Sequence, residues 1–122
     1  AIENRMELLF SEGVHSGKIT LQKFVAVSST NAAKIFGMFP RKGTIAVGSD
    51  ADVVLFDPSR QHRISATTHH MNVDYSGYEG WELTGKVQTV VLRGQVAIDQ
   101  GKCRIPKGYG KFIRRNKVDS KI

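Results

Sequence analysis

The sequence holds one cysteine, three prolines and one tryptophan in 122 residues. It has no apolar run near the roughly 20 residues that a membrane-crossing helix needs. A lone thiol, Cys103, excludes an internal disulfide framework and favours a reducing, cytoplasmic setting. The opening AIENRMELLF places acidic residues early and lacks a basic region ahead of an apolar stretch, so it is not a secretory leader. Internal repeats and low-complexity tracts are also missing. With 40% hydrophobic and 24% charged residues, the composition is that of a globular chain, long enough for one domain with a real core.

Acidic residues are scarce only at one end. Residues 1–100 carry ten Lys/Arg against ten Asp/Glu, whereas residues 101–122 carry eight Lys/Arg against Asp119 alone, which is the whole net charge of +7. The basic character therefore belongs to the tail. Tyr109 and Phe112 are too few to make a base-stacking platform, and a nucleic-acid partner is not expected.

Among the residues present, Met6, Leu9 and Phe10 share one helical face within 3–14, ahead of Gly13 and Gly17. Thr20 suits the N-cap of a second helix carrying Leu21, Phe24, Val25 and Val27. Ser28, Ser29 and Thr30 break that pattern and are expected to cap a third helix, Asn31 to Phe36, ending at Gly37. After Pro40, strand-like runs fall at 44–47, 52–56, 61–65, 87–92 and 95–98, the last two joined by Arg93-Gly94. Pro58 is expected to end the second run. Residues 66–85, glycine-rich and aromatic, predict a long loop. The stretch KGTIAVGSDADVVLFDP describes a turn feeding a buried strand, its Ser49, Asp50 and Asp52 suited to folding back onto nearby amides.

Chemistry is hard to find. His15, His62, His69 and His70 lack the spacing of a metal site, and the adjacent His69 and His70 face opposite ways in an extended chain. They predict hydrogen-bonding or packing roles. Cys103 has no second thiol and no neighbouring histidine. Ser28 and Ser29 lack the G-x-S-x-G frame of a nucleophile elbow. Asp50 and Asp52 are followed at alternate positions by Val54 and Phe56, which cannot ligate calcium. No glycine loop cradles a phosphate. No catalytic residue is assigned within this sequence.

The combination of residues is more informative than any one of them. IENRMELLFSEGVHSGKITLQKFVAVSSTNAAKIFGMFPRKGTIAVGSDADVVLFDP resembles the C-terminal portion of the cyclic amidohydrolases, in the dihydropyrimidinase and hydantoinase branch. STNAAKIFG followed by PRKGTIAVGSDAD carries the resemblance to that branch. The more general G-x-I-x-x-G-x-x-A-D-x-V, from Gly43 to Val54, resembles the wider superfamily. HHMNVDYSGYEGWELTGKVQTVVLRGQVAIDQGK is similar to the family's following loop and hairpin, and GYGKFIRR to its terminal arm. The resemblance spans essentially the whole sequence, and with Ala1 leading straight into a helix start it implies the C-terminal part of something longer.

The resemblance implies an α/β parent, a TIM-barrel amidohydrolase with a small β-sandwich. Residues 1–40 would be the terminal helices of the catalytic barrel. Residues 41–100 would be sandwich strands with a long loop at 66–85, and 101–122 a basic C-terminal arm. It implies two divalent metal ions, zinc being usual, held by ligands upstream of this segment, where they lower the pKa of water enough to attack a ring amide. No metal ligand or catalytic role transfers to any residue here, so the segment alone is expected to be inactive. Glu3 and Arg5, in IENR, match the segment after the family's substrate-contacting loop. They are candidates for buttressing it, or for a helix-start ion pair. Tyr109, Phe112 and Ile113 are the candidate anchors of an arm that joins subunits into a homotetramer. The implied activity is hydrolysis of a cyclic amide, a dihydropyrimidine or hydantoin, by a cytoplasmic protein with no membrane partner. The alternatives are a non-enzymatic dihydropyrimidinase-related assembly protein, which shares STNAAKIF and the PRKG turn, and a basic-tailed binding module. HHMNVDYSGYEG and the short end after GYGKFIRR favour the enzyme branch.

Overall fold

The computed structural model of the chain describes residues 2–117. Its elements run α1 (Arg5–Leu9), a π-type continuation Phe10–His15, α2 (Leu21–Val25), a π-type continuation Ala26–Thr30, α3 (Asn31–Ile35), then β1 (Val53–Arg63), β2 (Glu82–Leu92), β3 (Gln95–Asp99) and β4 (Lys102–Cys103). The sheet order is β1-β2-β3-β4. Two compact units form, one from residues 1–24 and 56–87, the other from 25–55 and 88–122.

In the first unit α1 and its continuation supply Phe10, which is buried with Phe24, Ile64 and Leu83. The Phe10 and Phe24 rings meet edge to face with centroids 5.8 Å apart, and Phe10 lies 4.8 Å from Phe56. Burying each ring contributes roughly 1.5–3 kcal/mol, so this triad is the main apolar anchor of the unit. Gly17, at φ 75°, closes the first helical stretch by turning its N–H to Val14 O. Thr20 Oγ1 accepts from Lys23 N at 3.2 Å, the cap anticipated for the next helix.

The second unit holds α3, the turn-rich segment after it, and the hairpin formed by residues 88–92 of β2 with β3. Gly37, at φ 65°, ends α3, with Met38 N bonded to Ala33 O. β2 and β3 pair antiparallel with Val90 opposite Ile98 and Leu92 opposite Gln95, and an irregularity falls between Val90 and Val91. Arg93-Gly94 makes the connection, both residues at positive φ, as a tight turn of the hairpin's twist requires.

Four expectations are corrected. Ser28, Ser29 and Thr30 do not break the helix: Thr30 keeps helical angles and its hydroxyl, which could have capped a new helix, instead donates to Gly43 O at 2.8 Å. Residues 44–47 are not a strand. Gly43 and Gly48, both at φ above 80°, turn the chain at each end, and Ile45 and Val47 are exposed. The runs 52–56 and 61–65 belong to one strand that passes through Pro58, because β1 lies first in the strand order and an edge strand tolerates a missing N–H. The irregular stretch after Ala66 ends at Trp81, since Glu82–Gly85 already belong to β2. Of the basic arm, residues 118–122 lie outside the described residues.

Candidate functional site

Glu3, Glu7 and Ser11 stand four residues apart and form a polar stripe along the first helical stretch. Each reaches a different part of the first unit. Ser11 Oγ accepts from Thr84 N at 3.2 Å. Glu7 is buried; its Oε2 lies 3.0 Å from His62 Nε2 and its Oε1 accepts from Val87 N at 3.3 Å. Glu3 accepts twice from one residue, from His70 N at 2.7 Å and, through the other oxygen, from His70 Nδ1 at 2.8 Å. In a regular strand, amides three apart point to opposite sides. Gly85, at φ 98°, interrupts that alternation between Thr84 and Val87, and both amides reach this helical stretch.

The Glu3 carboxyl is pushed up by partial burial, but hydrogen bonds from the His70 ring and backbone, and the nearby charge of His70 and His69, outweigh this and hold it below its ordinary 4.5. Asn4 is buried with its Oδ1 unpartnered among the described residues, as are His62 Nδ1 and His69 Nε2. Arg5 is exposed, its N–H 3.5 Å from Ile2 O.

The second unit answers what the SDAD turn is for. Lys42 Nζ pairs with Asp50 at 2.9 Å and with Asp52, while Arg41 Nε reaches Asp50 at 3.0 Å. Asp52 also accepts from Arg93 N at 2.8 Å, so the turn holds the hairpin connection. On the arm, the Arg93 guanidinium sits 4.3 Å over the Tyr109 ring and donates to Tyr109 O at 2.6 Å. Phe112 is 94% exposed and Ile113 half-buried.

These groups position chain segments. Among the described residues, no three His, Cys, Asp or Glu side chains converge to hold a metal ion. Cys103 is exposed and unbridged. No described helix is long and apolar enough to cross a membrane. The hydrogen-bonding roles expected of His62 and His70 are filled by the Glu7 and Glu3 carboxylates, but the sequence does not reveal these pairings or the part played by Ser11. The available signal was the spacing of Glu3, Glu7 and Ser11 beside the apolar face of Met6, Leu9 and Phe10.

The amidohydrolase family model matches residues 2–97. A D-hydantoinase of Geobacillus stearothermophilus is 51% identical over 116 residues, covering 95% of this chain and 25% of that protein. A dihydropyrimidinase of Rattus norvegicus is 48% identical over 114 residues, covering 93% and 22%. The solved D-hydantoinase from Bacillus sp. AR9 superposes with a TM-score of 0.94 at 52% identity, over 97% of this chain and 26% of that one. The chain spans about a quarter of the length of the curated relatives it matches.

Proposed function

The chain belongs to the amidohydrolase family, and we propose that it serves as the C-terminal segment of an enzyme that hydrolyses the ring amide of dihydropyrimidines or hydantoins. The observation that carries this reading is agreement in both sequence and backbone with D-hydantoinase across nearly the whole chain. In this reading the helical residues 1–40 cover a catalytic TIM barrel formed by chain outside this segment. Residues 41–100 complete a β-sandwich, and 101–122 form an arm between subunits of a homotetramer in the cytoplasm. Two divalent metals, zinc in this reading, are bound outside this segment. The exposed Leu21, Val25, Ile35 and Phe36 of the helices, with Ile45 and Val47, fit surfaces that a larger protein covers. In the same reading Glu3 and Arg5 buttress the substrate-contacting loop.

The test is an assay of the full-length protein carrying this segment, with dihydrouracil and hydantoin as substrates, before and after chelation and zinc restoration. Chelator-sensitive ring opening is the expected result. A zinc-loaded tetramer that opens neither ring overturns the enzyme reading and leaves the assembly protein.

A further inference from the structure

Of the side chains expected to anchor the arm between subunits, Tyr109 turns inward and Phe112 outward. Arg93 accounts for the difference. Its N–H donates to Asp52 Oδ1 at 2.8 Å, and Gly94 N donates to Ala51 O at 2.9 Å, so the hairpin connection is tied by its backbone to the SDAD turn. That leaves the Arg93 side chain for the arm. Its guanidinium lies 4.3 Å over the Tyr109 ring and donates to Tyr109 O at 2.6 Å. Stacking and a charge-assisted bond to one residue fix orientation as well as distance. The Tyr109 hydroxyl adds a weaker tie, donating to Leu92 O at 3.4 Å.

Further along, Asn116 N donates to Gly37 O at 2.9 Å, beyond the end of α3. The arm is thus held at two points within the second unit. Between them Ile113 is half-buried, while Phe112 is 94% exposed among the exposed Lys111, Arg114 and Arg115. A ring carried on backbone that is already held loses less freedom when it meets a partner. Residues 101–122 hold eight Lys/Arg and one of the eleven acidic residues, so the opposite charge lies in 1–100. Because the arm is fastened with Phe112 turned to solvent, the acidic surface it can reach belongs to another copy.

We propose that Arg93 is a positioning residue of assembly: through Tyr109 it fastens the basic arm to its own subunit, so that Phe112 is presented to a second copy of this chain. This rests on reading the arm as a contact between subunits of the full-length protein.

Hydrogen exchange and sedimentation of the full-length protein test the fastening and the contact separately. Phe112→Ala is expected to weaken assembly while leaving residues 109–116 protected, since they are held within their own subunit. Adding Arg93→Ala to that variant is expected to raise their exchange by on the order of tenfold. Arg93→Ala alone is expected to raise the dissociation constant of the assembly by roughly tenfold, the scale of one stacked, charge-assisted contact. Arg93→Lys keeps a charge over the ring without the planar fork and is expected to fall between Arg93→Ala and the parent. Tyr109→Ala leaves the Arg93 backbone and the SDAD turn as they are, and is expected to free the arm in the same direction. Arm exchange unchanged in both Arg93→Ala and Tyr109→Ala overturns the proposal, as does Phe112→Ala freeing the arm by itself. A lowered Tm with unchanged assembly in Phe112→Ala places that ring against its own subunit and overturns the presentation to a second copy. If the arm responds to Arg93 but the parent sediments as a single subunit, the fastening stands and the assembly reading falls.

Discussion

Gly85 of β2 lies against Phe10 so closely that a Cβ added there would press into the Phe10 ring and fall 2.8 Å from Phe56 Cε1. The residue also sits at φ 98°, where a side chain is strained. Gly85→Ala is therefore expected to destabilise the protein by about 2–4 kcal/mol, combining backbone strain with overpacking. Urea denaturation measures this, and a variant as stable as the parent would contradict the close packing described.

Glu7 serves two partners at once. Glu7→Ala leaves Val87 N and His62 Nε2 without their acceptor in a buried place. The expected cost is about 1–3 kcal/mol. Because the His62 side chain is also largely buried, Glu7→Ala and His62→Ala are expected to be non-additive in a double-mutant cycle. Strict additivity is the contrary result.

Carboxylates held below their ordinary values, Asp57 among them, give the acid limb of stability a definite sign. Asp50 is held below its ordinary 3.8, chiefly by the hydrogen bond from Lys42, and Glu79 below 4.5 by the hydrogen bond from Ala66 N. Glu3 is also depressed, His70 outweighing its burial. A carboxylate depressed in the folded state adds stability that is fully present above its unfolded value and is lost as pH falls through the folded one. Tm is thus expected to drop below about pH 4.5, and less steeply in an Asp50→Asn, Glu3→Gln variant. Equal slopes for parent and variant would sink this assignment.

The two aromatic residues of the arm differ in their engagement. Tyr109 is engaged with Arg93 and, through its hydroxyl, with Leu92 O at 3.4 Å, whereas Phe112 is exposed. Under the proposed assembly, Phe112→Ala is expected to weaken oligomerisation of the full-length protein by roughly 1–3 kcal/mol without altering metal content. Replacing Lys107, Lys111 and Lys117 with Gln is expected to do less, since exposed charges contribute little. Sedimentation of the variants decides it, and an unchanged assembly for Phe112→Ala rules the anchor out.

Local signals explain most of what could be read from the residues alone. Thr20 as a cap, Gly37 as a helix end and Arg93-Gly94 as a hairpin connection each depend on chain within a few residues. The misread elements depend on distant chain. Thr30 was read as a cap, yet Gly43 O takes its hydroxyl. Pro58 was read as a strand end, yet the strand's place at the sheet edge lets it continue. Gly85 resembled loop because the Phe10 ring that requires it lies 75 positions earlier. His62 and His70 do take the hydrogen-bonding roles expected of them, but which carboxylate each one meets depends on chain 55 and 67 residues away.

The stripe also dictates the order in which this unit can assemble. Its bonds span 55 residues from Glu7 to His62, 67 from Glu3 to His70, 73 from Ser11 to Thr84 and 80 from Glu7 to Val87. On a growing chain, the first helical stretch must wait until Val87 has been added, more than seventy residues on, before its last strand partner exists. Contacts of such high order make folding slow, because the entropy of closing a long loop is lost before any bond compensates it. Until β2 is made, Phe10 lacks its packing against Gly85 and Glu7 lacks the N–H of Val87, and that interval is when this segment is most open to aggregation and to chaperone capture.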